Sequence, residues 1–146
     1  DLYEIPERWG EAADLHREAA ENLPKNDAGQ FFGYSRAALL YFYAGELPEA
    51  RRSMEDAAEV AEATGDVLTA AHAYVDAAFI AIAEDYDGME REFVADARSV
   101  AASEVLTEAE RESVEIRIEG APAGVSSATV ALANRFGTLE ALALAD

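Results

Sequence analysis

The sequence predicts an all-α protein of about six to eight helices. Three observations carry this. Alanine is the commonest residue of the 146-residue chain; it has the best helix propensity and lets helices approach closely. The four prolines, Pro6, Pro24, Pro48 and Pro122, stand where a helix could start or has just ended. Apolar residues recur at spacings of three and four along most of the chain, which is the period of a helix with one buried face.

The length suits a single domain spanning residues 1–146, and the 51% hydrophobic content is enough for a packed core. There is no cysteine, so disulfides, thiolate nucleophiles and cysteine metal sites are excluded. The formal net charge is −19, and Lys25 is the one lysine among 11 basic residues. Such a surface repels nucleic acid and anionic lipid, both of which need positive charge to displace counterions. It suits a cationic partner or a high-salt medium, although the acids are spread along the chain as in an ordinary solvated surface. No run of about 18 apolar residues is present, so no membrane span is expected. No signal peptide is recognisable, and the expected location is the cytoplasm. Because the chain starts at Asp1 without a methionine, a periplasmic or secreted location stays open.

Residues 1–5 show no period and read as an extended entry. Pro6 opens a first helix to Leu23, with Trp9, Ala12, Ala13, His16, Ala19, Ala20 and Leu23 on its inward face. Pro24 stops it. A second helix from about Asp27 to Ala44 is apolar on nearly all sides, which implies packing on more than one face. Gly45 supplies the left-handed cap conformation. A third helix from Leu47 to about Thr64 buries Ala50, Met54, Ala57, Ala58 and Ala61, and Gly65 ends it. Asp66 caps a fourth, roughly Val67 to Glu84, carrying Ala70, Ala71, Tyr74, Ala77, Ala78, Phe79, Ala81 and Ile82. After the turn Asp85-Tyr86-Asp87-Gly88, a fifth helix runs from Met89 to Ser103. Thr107 and Glu110 form a capping box for a sixth, to about Ile118. A segment from Ala128 to Ala145 reads as a helix to Phe136, a break near Gly137 and a short helix after Thr138.

The chain repeats. Shifting it by forty residues lays Arg51 on Arg91, Asp56 on Asp96, Ala57 on Ala97, Val60 on Val100 and Ala61 on Ala101. Tyr34, Ala37 and Ala38 fall on Tyr74, Ala77 and Ala78. A unit that recurs in this way has an apolar face it cannot bury alone, so its neighbours must stack on it.

Tyr34, Ala37, Ala38, Tyr41, Gly45, Leu47, Ala50, Met54, Ala57 and Ala58 resemble the tetratricopeptide pattern, in its roughly forty-residue variant. The resemblance covers about residues 7–103 and leaves 104–146 as C-terminal helices that could cap the stack. It weakens at the second turn, where Asp85 stands in place of the glycine. It implies antiparallel helix hairpins stacked as a short right-handed solenoid. It also implies that the first helix of each repeat lines a concave groove that holds a helical or extended peptide. The matching positions are Phe32, Ser35, Leu39, Phe42 and Tyr43, then His72, Val75, Phe79, Ile82 and Ala83. This groove is apolar and aromatic, without the lysine and arginine clamp that some members use on a C-terminal carboxylate. Something must cover it: a protein partner, a second copy in a homodimer, or the chain's own Val130, Leu132, Leu139, Leu142 and Leu144.

No sequence feature points to catalysis. There is no Gly-rich phosphate loop, no nucleophile elbow and no HExxH. His16 lies on an apolar stripe and reads as a core residue. His72 and Asp76, four apart, could seed a metal site, but no third ligand is apparent and no metal is assigned. Asp85-Tyr86-Asp87-Gly88 lacks the full calcium-loop ligand series and reads as an acidic turn. The expectation is a non-enzymatic interaction or scaffold module without a cofactor. The alternatives are a small-ligand or metal-binding helical protein with a pocket near His72, Phe79 and Tyr43, or a self-capped homo-oligomer.

Overall fold

The computed structural model describes residues 6–86 and 88–145, with side chains from 8 to 137. Among these residues the fold is all-α, with helices α1 (Pro6–Glu21), α2 (Ala28–Tyr43), α3 (Leu47–Ala63), α4 (Val67–Ala83), α5 (Met89–Ala101), α6 (Glu108–Glu119) and α7 (Val125–Ala145). Each of α1 to α4 packs on the helix that follows it. Short connections make these neighbours antiparallel.

The turns after α2, α3 and α4 share one design at a twenty-residue interval. Gly45, Gly65 and Asp85 take positive φ of +80°, +85° and +58°. The next residue then donates its backbone N–H to a carbonyl five residues back: Glu46 to Tyr41 at 2.9 Å, Asp66 to Ala61 at 2.9 Å and Tyr86 to Ala81 at 3.0 Å. This satisfies carbonyls that a helix end otherwise leaves unpaired. Asp85 thus holds the glycine's conformation with a side chain attached. The other punctuation is also chemical. Asp27 Oδ1 accepts from the Gly29 N–H at 2.8 Å. Thr107 and Glu110 form the reciprocal capping box, at 3.1 and 2.8 Å.

Small residues set the spacing. Ala37, Ala38, Ala57, Ala58, Ala70, Ala71, Ala77 and Ala81 are all enclosed, so the backbones of α2, α3 and α4 come close together. Met54, Ile80, Phe93, Leu132 and Phe136 fill the remaining volume. Each such side chain contributes about 1.5–3 kcal/mol by leaving water.

From α5 onward the stack folds back. α6 packs on both α4 and α5, and α7 packs on α4, so α4 is covered by α3, α5, α6 and α7. This accounts for its composition: every residue from Ala73 to Ala81 is buried. Two expectations need correction. α7 is one helix that continues through Gly137, not two. A glycine inside a helix costs only about 1 kcal/mol, and the buried Leu132 and Phe136 on the same helix outweigh that. Leu23 lies beyond the end of α1 and is 38% exposed, not part of its buried face. The expected extended entry at 1–5, Asp87, and the side chains of Leu139, Leu142 and Leu144 lie outside the described residues. No helix among the described residues is long and apolar enough to cross a membrane.

Candidate functional site

A cavity of about 810 Å³ opens beside α2 and α4, with α1 and α7 at its edges. Its apolar lining is Phe31, Phe32 and Leu39 from α2, Met54 from α3, and Leu68 and Ala73 from α4. Its polar lining is His16, Ser35, Arg36, Thr69, His72, Asp76 and Arg135. Phe32 stands at the mouth, 71% exposed, and its ring meets Phe31 edge-on at 5.8 Å.

The expected groove residues divide between this cavity and the interior. Phe32, Ser35, Leu39 and His72 line the cavity together. Phe42, Tyr43, Val75, Phe79 and Ile82 do not. The Phe42 ring packs against Phe136 of α7 at 5.2 Å and against Tyr43 at 5.7 Å. Tyr43 also meets Trp9 at 4.9 Å. Val75 is fully enclosed, Phe79 and Ala83 are buried, and Ile82 packs on the core. Thus α6 and α7 occupy the far half of the face that α2 and α4 present, while the near half stays open. Of the C-terminal residues considered as a cover, Leu132 is buried but Val130 points to solvent.

At the closed end lies Asp76, 3% exposed and held by arginines from two other helices. Arg117 Nη2 of α6 donates to Asp76 Oδ1 at 2.5 Å, and Arg135 Nε of α7 approaches the same oxygen at 3.4 Å. A buried carboxylate needs such partners, because desolvation costs several kcal/mol per ion. Arg117 also donates to the His72 carbonyl at 3.3 Å and lies over the Phe79 ring at 5.5 Å. Its Nη1 is 3.1 Å from His72 Nδ1. A guanidinium only donates, so Nδ1 accepts and the proton of the neutral ring sits on Nε2. Burial, then the Arg117 charge, holds His72 below the usual imidazole pKa. The pair His72 and Asp76 is therefore committed to Arg117. Among the described residues no three His, Asp or Glu side chains gather to hold a metal.

His16 is not a core residue. It is exposed and lines the cavity. Partial desolvation and then the nearby Arg36 push its pKa down. The Arg36 side chain makes no ion pair or hydrogen bond among the described residues. The sequence reading missed both cavity arginines. Arg36 sits beside the matched groove position Ser35, a signal that was available. Arg135 reaches the cavity only because α7 returns to α4. Elsewhere, ion pairs lock neighbouring helices. Arg51 grips Glu84 through two hydrogen bonds at 2.8 and 3.3 Å, and Arg17 joins Ser53 and Asp56.

No family model, curated protein or solved structure matches this chain.

Proposed function

We propose that this protein is a non-enzymatic interaction module of tetratricopeptide-like design, whose open groove holds a helical or extended segment of a partner protein. The observation that carries the reading is the cavity between α2 and α4, with Phe32 exposed at its mouth above Leu39, Met54 and Leu68. An apolar cleft with a few polar groups is the usual form of a binding site, and an amphipathic segment would bury its anchors there. The acidic exterior favours a segment that is cationic outside its anchors, and such binding weakens with salt. A second copy of the chain is the alternative cover.

The test is selection of binders from a displayed library of helical and extended peptides, followed by affinity measurement on variants. Leu68→Glu, in the cavity wall, is expected to abolish binding. Val105→Glu, at an exposed residue outside the cavity, should leave it unchanged. Selected peptides that bind Leu68→Glu as tightly as the parent would end this reading.

A further inference from the structure

The charge inside the cavity is opposite to that of the molecule. The chain carries −19 overall, yet the charged groups at the cavity are Arg36 and Arg135 against Asp76 alone, and Asp76 is already bonded to Arg117. Arg36 forms no ion pair among the described residues. Arg135 has only the 3.4 Å contact with Asp76, so its guanidinium keeps donors to spare. Opposite them lie Phe31, Phe32, Leu39, Met54 and Leu68. The volume of about 810 Å³ falls within the range of roughly 300–1,000 Å³ usual for small-molecule sites.

We infer that this cavity binds a small amphipathic monocarboxylate, its carboxylate on Arg36 and its hydrocarbon on the Phe31, Leu39 and Leu68 wall. An arginine fork matches a carboxylate in two parallel hydrogen bonds. The net charge also sets the ligand class. Charges beyond about 8 Å are largely screened at physiological salt, so acids farther than that scarcely oppose one negative charge seated against Arg36. The residual repulsion grows with each further charge, which disfavours polyphosphates and acidic peptides. The ligand shares the Leu39 and Leu68 wall with the peptide reading, but the inference rests on Arg36, which that reading does not use.

The experiment is calorimetric titration of the full chain with three ten-carbon probes: decanoate, decan-1-ol and decyltrimethylammonium. Each is used below its aggregation concentration, at neutral pH and physiological salt. Decanoate is expected to bind one per chain, with decanol about tenfold weaker and the ammonium weaker still. Arg36→Gln should weaken decanoate about tenfold and leave decanol unchanged, and the retained decanol binding also shows that the variant is folded. Arg36→Lys, which keeps the charge, should recover part of the loss. Equal binding of decanoate and decanol, no decanoate binding, or an unchanged decanoate affinity in Arg36→Gln would each overturn the inference. None of these results bears on the selected peptides, whose failure would be seen separately.

Discussion

Gly33 of α2 lies so close to Ala20 of α1 that a β-carbon added at position 33 would sit 2.6 Å from the Ala20 methyl and 3.3 Å from the His16 carbonyl oxygen. Two helices can approach this closely only when one presents no side chain. Gly33→Ala gains about 1 kcal/mol of helix propensity but must push α1 away, at about 1–3 kcal/mol. The expected net result is a loss of about 1 kcal/mol, measured by urea unfolding. In a double-mutant cycle, Ala20→Gly should recover much of the steric part, so the two changes will not add.

The turn at Asp85 has the opposite fault. Its φ of +58° is one that glycine adopts freely. Asp85→Gly is therefore expected to stabilise the protein by up to about 1 kcal/mol. Gly45→Ala and Gly65→Ala, at +80° and +85° with open space around them, should each lose about 1 kcal/mol. Thermal midpoints of the three variants check this; a destabilised Asp85→Gly would show that the aspartate makes an interaction worth more than the strain.

Asp76→Ala should cost about 2–3 kcal/mol, because it leaves Arg117 and Arg135 without their shared carboxylate. A fully buried pair would cost more, but Arg117 and Arg135 both reach solvent and recover hydration. Hydrogen exchange should show α4, α6 and α7 losing protection together. Asp76→Asn retains an acceptor and should fall between parent and alanine.

Burial, with charge repulsion added to it, gives the protein an unusual acid response. Glu46, Glu55, Glu59 and Asp96 all have raised pKa values, from desolvation first and neighbouring carboxylates second. An acid whose pKa is higher in the folded state disfavours folding while it is ionised. That penalty is present above the folded pKa and is gone below the unfolded one. These groups therefore make the protein more stable as pH falls from neutral towards about 4. His16 and His72 are lowered and act oppositely, costing stability as pH falls below 6.5. Glu59→Gln isolates the carboxylate part. It should be more stable than the parent at neutral pH, by a margin whose smaller, repulsive part shrinks with added salt and which vanishes near pH 4. An equal margin at both pH values would contradict this origin.

Local chemistry was legible in the chain. Asp27, Asp66, the Thr107–Glu110 box and the glycines at 45 and 65 mark helix ends because each satisfies a backbone group within a few residues. The repeat was legible for a similar reason: Tyr34 and Tyr74 hold matching buried positions forty residues apart. The return of α7 was not. Nothing in the local pattern around Arg135 says that it meets Asp76, 59 residues away. The return of α7, with Leu132 and Phe136 buried on it, decides which half of the expected groove is filled. Gly137 misled because propensity is a small effect beside the burial of Phe136, and His16 because an apolar stripe does not show where a cavity opens.

The convergence of α3, α5, α6 and α7 on α4 also governs how the molecule comes apart. In an open array of hairpins each contacts only its neighbours, and the ends can melt one at a time. Here the loss of α6 and α7 would strip the most apolar helix of the chain and expose Val75, Phe79 and Asp76 together. The C-terminal half should therefore unfold as one cooperative block. The α1–α2 pair, joined to the rest through α3 and the Phe42–Phe136 contact, is left as the part free to breathe. The cavity lies along that seam, so whatever fills it would tie the looser half to the tighter one.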